Sequence, residues 1–140
     1  MGSVLSIDYG LKRIGLAISD PSRIFAFHYG VIENKNLSYV IFEIQKIISE
    51  KEIDLIVVGM PYSMNKMDKS KGEMAKNVEN FVKALKEKLT LEIKLVDETL
   101  SSFTAEENLR QSNLSSKKMK KYIDSEAARV ILEEYLNGIK

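Results

Sequence analysis

Ile53-Asp54-Leu55-Ile56-Val57-Val58, closed by Gly59, is a short apolar, β-branched run. Such a run fits a strand buried on both faces of a sheet, and strands so buried occur in parallel or mixed sheets covered by helices. Both flanks agree with that reading. Upstream, Leu37, Val40, Ile41, Ile44, Ile47 and Ile48 recur at helical spacing, with Asn36 or Ser38 available as the cap. Downstream, Ala75, Val78, Phe81, Val82 and Leu85 mark another helix, and Leu91 to Val96 alternates as LEIKLV before Asp97-Glu98. Strands alternating with helices in this way require parallel pairing through helical crossovers.

The chain before that unit reads differently. Val4 to Ile7 is a short apolar run that stops at Asp8; Ile14 to Ser19 and Phe25 to Ile32 are two more, separated by turn-like Tyr9 to Arg13 and Asp20 to Arg23. Three short strands with short connections make an antiparallel meander. Two further helices are expected near Phe103 to Gln111 and Lys118 to Leu136. The expectation is one α/β domain over residues 1–140. Its five-stranded mixed sheet has an antiparallel first half, parallel first, fourth and fifth strands, and flanking helices.

A chain of 140 residues can bury roughly two-thirds of its unfolded surface. Its 44% apolar and 29% charged residues are those of a folded protein. With no cysteine, disulfides, thiol nucleophiles and thiolate metal sites are excluded, which suits the cytoplasm. No apolar run approaches the roughly 20 residues that span a bilayer, and Asp8 interrupts the start too early for a signal peptide. Met1-Gly2-Ser3 begins like a myristoylation signal, but Val4 to Ile7 reads as a buried strand. The net charge of +1 is uninformative, whereas Arg110, Lys117, Lys118, Lys120 and Lys121 form a run without an acid. That run is either a solvated basic loop or a phosphate-binding patch.

In open α/β sheets, functional groups gather beyond the carboxyl ends of parallel strands. The first, fourth and fifth strands end at Asp8, Gly59 and Asp97-Glu98. Asp8 directly follows a buried strand, where an ionised carboxylate is costly without a cation or hydrogen bonds; it is a turn aspartate or a metal ligand, with Gly10 allowing close approach of a phosphate backbone. Asp97 and Glu98 are neighbours on a strand end, so one of them at most reaches a given site; the other reading is a helix cap. Asp124 opens the last helix, where a first-turn acid favours the helix dipole. Carboxylates from separate elements facing a basic groove hold hard cations such as magnesium and cleave phosphodiesters. His28, the only histidine, lies in an apolar strand and reads as structural. The loop Gly59 to Asn65, stiffened by Pro61, reads as a substrate flap.

These residues resemble a family. Asp8-Tyr9-Gly10-Leu11-Lys12-Arg13-Ile14-Gly15-Leu16-Ala17-Ile18-Ser19-Asp20 is similar to the opening signature of the YqgF family, ribonuclease H-like proteins described as Holliday junction resolvases and pre-16S rRNA nucleases. Val57-Val58-Gly59-Met60-Pro61 resembles its second motif, and Val96 to Ser102 with Ala105-Glu106 its third. Ile123-Asp124-Ser125-Glu126-Ala127-Ala128 with Ile131, Leu132, Tyr135 and Leu136 resembles its closing helix. The resemblance spans nearly the whole chain. It implies a ribonuclease H-like fold, Asp8, Glu98 and Asp124 as catalytic acids and metal ligands, and magnesium or manganese as cofactor. It implies cleavage of nucleic acid, RNA ahead of branched DNA, with trimming of the 5′ end of pre-16S rRNA in precursor ribosomal particles as the purpose. Lys12, Arg13, Lys117, Lys118, Lys120 and Lys121 would guide the substrate backbone. Neither a membrane partner nor an oligomer beyond monomer or weak dimer is expected.

Three positions depart from the family pattern: Thr99 stands where arginine is usual, Ser101 and Ser102 replace a threonine pair, and the loop after Pro61 is longer and lacks an early glycine. They bear on substrate contacts more than on the acids. Two rivals remain. A phosphotransferase of the actin and sugar-kinase superfamily also carries an Asp-x-Gly turn after its first strand, but needs a second domain. A non-catalytic nucleic-acid or ribosome-binding module would keep the fold without the chemistry.

Overall fold

A computed structural model of the chain describes residues 2–60, 69–97 and 116–138, and within its last two helices the side chains from Glu73 and from Ser125 onward. Five strands and three helices lie in the order β1 (Ser3–Asp8), β2 (Arg13–Ser19), β3 (Ala26–Glu33), α1 (Leu37–Lys51), β4 (Ile53–Met60), α2 (Lys69–Lys88), β5 (Glu92–Asp97) and α3 (Ser116–Gly138). They form one five-stranded sheet in the order β3-β2-β1-β4-β5. The pairs β1–β2 and β2–β3 are antiparallel, while β1–β4 and β4–β5 are parallel. This is the mixed sheet expected from the alternation of apolar runs.

The two central strands are buried on both faces because they are apolar on both. Alternation sends Leu5, Ile7, Ile56, Val58 and Met60 into one core with α1 and α2, where Val40, Ile44, Val78, Phe81 and Leu85 meet them. Val4, Leu55 and Val57 point the other way, against Ala128, Ile131, Leu132 and Leu136 of α3. Helix α1 begins at Asn36, whose side-chain oxygen accepts from the Tyr39 backbone N–H at 2.8 Å. Its last turn closes on Glu52 in the left-handed region (φ 52°), whose N–H donates to the Ile48 carbonyl. At the opposite edge, pairing shifts between Leu16 and Ala17, leaving Tyr29 as the extra residue of a bulge in β3.

Two expectations need correction. Gly59 and Met60 were read as the beginning of a loop; they are the end of β4, with Met60 fully buried and opposite Asp97. The glycine does not stop this strand because β5 pairs with it and with Met60, while β1 pairs with the strand as far as Val58. Asp124 was read as opening the last helix. Helix α3 starts at Ser116, two turns earlier, and the helix-terminal field fades within the first turn, so the dipole does not favour a charge at Asp124. The expected helix near Phe103 to Gln111, and the flap beyond Met60, lie outside the described residues.

Candidate active site at the carboxyl edge of the sheet

Asp8 is the last residue of β1, half-buried and paired with Gly15 of β2. Two residues earlier on the same face of the strand, the buried Ser6 hydroxyl donates to the Ala128 carbonyl of α3 at 2.8 Å. Val4, Ser6 and Asp8 therefore share the face that α3 covers. The turn after Asp8 is tight. A Cβ on Gly10 would lie 2.3 Å from the Arg13 carbonyl oxygen, so the glycine is required by its own turn before any substrate approaches. Gly10→Ala is expected to cost about 1–3 kcal/mol, read as a lowered urea midpoint; an unchanged midpoint would show that the turn relaxes freely.

Asp97 ends β5 across from Met60. Ile93 packs in the α1/α2 core and Val96 in the α3 core, so alternation gives Asp97 the parity of Ile93, opposite to that of Asp8. Its charge nonetheless reaches α3: Glu134 is held above the usual carboxylate range, first by burial and then by Asp97 and Glu133. Glu98 lies outside the described residues. Asp124 is placed by its backbone in α3, one residue before Ser125. Lys117, Lys118, Lys120 and Lys121 are likewise placed by backbone alone in the first turns of that helix, not in a loop. Lys12 and Arg13 are exposed at the edge beside Asp8.

Sequence reasoning missed what anchors this end of α3. His28 of β3 bonds Ser125 Oγ through Nδ1 at 2.9 Å and meets Glu126 Oε2 through Nε2 at 2.6 Å. Arg129 donates from Nε to Glu126 Oε1 at 2.8 Å and from Nη1 to Glu133 Oε2 at 2.6 Å. Burial alone would raise the Glu126 carboxyl, but the hydrogen bonds of His28 and Arg129 overcome it and hold the group at about 2. Glu126 is thus a buried anion kept ionised by two partners. The spacing Glu126, Arg129, Glu133 was visible as a helix-face charge pattern; its link to His28 was not.

The donor chemistry at the edge suits a hard cation. Asp8 offers carboxylate oxygens, there is no cysteine, and the only histidine is engaged with Ser125 and Glu126. Among the described residues no three histidine, aspartate or glutamate side chains form a metal cluster; of the expected set, the structure describes the Asp8 side chain only.

A mixed sheet ordered β3-β2-β1-β4-β5, with a carboxylate at the end of its central strand and helices on both faces, defines the ribonuclease H-like class. Solved structures of that shape agree. Thermus thermophilus RuvC in complex with a Holliday junction substrate superposes with a TM-score of 0.58 at 12% identity, over 99% of this chain and 96% of the other. The fowlpox virus Holliday junction resolvase superposes at 0.59 with 13% identity, over 99% of each chain. The chain belongs to the RuvX family, described as Holliday junction resolvase, whose model matches residues 2–138. This is the family that the YqgF motifs indicated. A Maridesulfovibrio salexigens protein named "Putative pre-16S rRNA nuclease" is 44% identical over 133 residues, covering 95% of this chain and 96% of its own. A Trichormus variabilis protein of the same name is 37% identical over 135 residues, covering 96% and 87%. Family membership sets aside the phosphotransferase reading.

Proposed function

We propose that this protein is a divalent-metal-dependent nuclease that hydrolyses phosphodiester bonds and trims the 5′ end of pre-16S rRNA in the cytoplasm. The observation that carries the reading is the position of Asp8, at the carboxyl end of a strand buried on both faces and on the face covered by α3. The names of the relatives support the RNA substrate. Magnesium or manganese would be held by Asp8, Glu98 and Asp124. When bound, a metal pair supplies an activated water and charge stabilisation at the leaving oxygen. Strand alternation argues against Asp97 as the partner of Asp8, since the two have opposite parity. Contacts from Ser6 to Ala128 and from His28 to Ser125 and Glu126 tie α3 to the sheet just after Asp124 in the chain. Lys12, Arg13, Lys117, Lys118, Lys120 and Lys121 would steer the phosphate backbone by charge. Among the described residues no helix is long and apolar enough to cross a membrane.

The family description favours a second reading, resolution of branched DNA. A junction enzyme acts as a symmetric dimer, so the two readings separate in one assay. RNA carrying the 5′ leader of 16S rRNA and a four-way DNA junction are incubated with equal protein in magnesium or manganese. Cleavage of the RNA, abolished by chelation, supports the first reading. Symmetric nicking of the junction with intact RNA would replace it by the second, and cleavage of neither would leave a binding module.

A further inference from the structure

Tyr9, Asn34, Leu37, Asn77, Asn80 and Phe81 line a cavity of about 230 Å³ between the Asp8 turn and helices α1 and α2. We propose that this cavity receives one unpaired nucleobase of the strand whose phosphate lies at Asp8. The strand comes from the nuclease reading above; the base comes from the chemistry of the cavity itself.

Among the described residues the lining carries no charged side chain and three primary amides. Each amide offers two donors and one acceptor, the complement of the edges of an unpaired base. An anion would find no cation among the described lining residues, and a purely apolar ligand would strip water from the amides without replacing their hydrogen bonds. Tyr9 and Phe81 supply an aromatic wall, with ring centroids 4.7 Å apart, and aromatic surfaces hold unstacked bases. Asn77 and Asn80 stand three residues apart on one face of α2. Asn34 is oriented: its Nδ2 donates to the Gly10 carbonyl at 2.9 Å, which leaves Oδ1 as its acceptor. Its backbone N–H also donates to the Lys12 carbonyl at 2.9 Å. The cavity wall is thereby tied to the turn that carries the exposed Lys12, a partner for a flanking phosphate.

The location fits a strand crossing the sheet edge. Tyr9 packs into the α1/α2 core, whereas Asp8 belongs to the α3 face, as Ser6 does. Consecutive residues thus serve opposite faces of one edge. A strand placing its phosphate over Asp8 can lower a neighbouring base beside Tyr9.

The test is a cycle between protein and ligand. Binding of a short single-stranded RNA to the Asp8→Asn protein is measured by fluorescence anisotropy, with an abasic nucleotide at each position in turn. The same series is run with Asn77→Ala and Asn80→Ala added. At one position, base removal should weaken binding by about tenfold, and the added substitutions should abolish that sensitivity. If the double substitution lowers thermal stability, Asn80→Asp alone, isosteric and at an exposed helix position, should abolish it too. Equal sensitivity to base removal in all the proteins at every position would overturn the proposal. So would saturable binding of a free nucleoside with a flat abasic series, which would assign the cavity to a free nucleoside. The nuclease reading is separated by wild-type cleavage: cleavage with a flat series removes the base pocket alone, and a positive cycle without cleavage removes the nuclease alone.

Discussion

Asp8→Asn is expected to lower metal-dependent RNA cleavage about a thousandfold, on the order of 4 kcal/mol of transition-state stabilisation, with RNA binding retained. The substitution keeps the shape and one oxygen of the side chain but removes the charge that a hard cation needs. Asp8 is half-buried at the end of β1, next to fully buried Ile7, and a neutral amide is less costly there than an ionised carboxylate without its cation. The protein should therefore fold at least as well as the parent. The same logic orders the other acids: Asp124→Ala should abolish cleavage, and Asp97→Ala, at a position with the opposite strand parity, should be milder. Cleavage kinetics at saturating magnesium, with thermal midpoints measured in parallel, decide it. An inactive Asp97 variant beside a normal Asp124 variant would reverse the assignment.

Leu132→Ala should destabilise the fold by about 2–5 kcal/mol. Leu132 is fully buried in the cluster where Ala128, Ile131 and Leu136 meet Val4, Ala17, Leu55 and Val57. Among the described residues that cluster is smaller than the one on the α1/α2 side, and truncation to alanine leaves a cavity in it. Against a total of roughly 5–15 kcal/mol for a domain, the loss is large, and the thermal midpoint should fall by roughly 5–20 °C. Because α3 also carries Asp124, cleavage should fall at temperatures where the variant is still folded. Phe42→Ala, at a residue 52% exposed, is the control and should change the midpoint little. A Leu132 variant as stable as the control would mean that α3 is held by its polar anchors rather than by this packing.

The sequence made the sheet legible where burial left a pattern. IDLIVV fits a strand buried on both faces, and the 3.6-residue stripe of Val40, Ile41, Ile44 and Ile47 fits a helix packed on one side. Legibility failed where tertiary pairing overrides local signals. Gly59 is a stop by propensity and a paired strand residue in the sheet. The bulge at Tyr29 has no mark in the sequence, since it resolves a mismatch between β2 and β3 that appears only on pairing. The span of α3 was legible to within two residues, Lys118 against Ser116, whereas the reading of Asp124 as a first-turn acid fails because the lysine-rich Ser116 to Tyr122 is already helical. Asp8 stands out in the sequence as a candidate because an acid at the end of a buried strand is anomalous. His28, Glu126 and Arg129 were not joined, because 97 residues separate His28 from Ser125 and no periodicity connects them. Asn34, Asn77 and Asn80 belong to no motif in the sequence and meet only where the fold places them around one cavity.

The central claim is that Asp8, Glu98 and Asp124 share one divalent-metal site. A crystal structure with manganese, read by its anomalous difference density, tests it most directly. The account predicts manganese density at the carboxyl end of β1, with oxygens of all three carboxylates around it and any second ion about 4 Å away. A carboxylate of the three lying more than about 10 Å from the other two, beyond what such a two-ion site can span, would contradict it, as would manganese bound elsewhere with that edge empty.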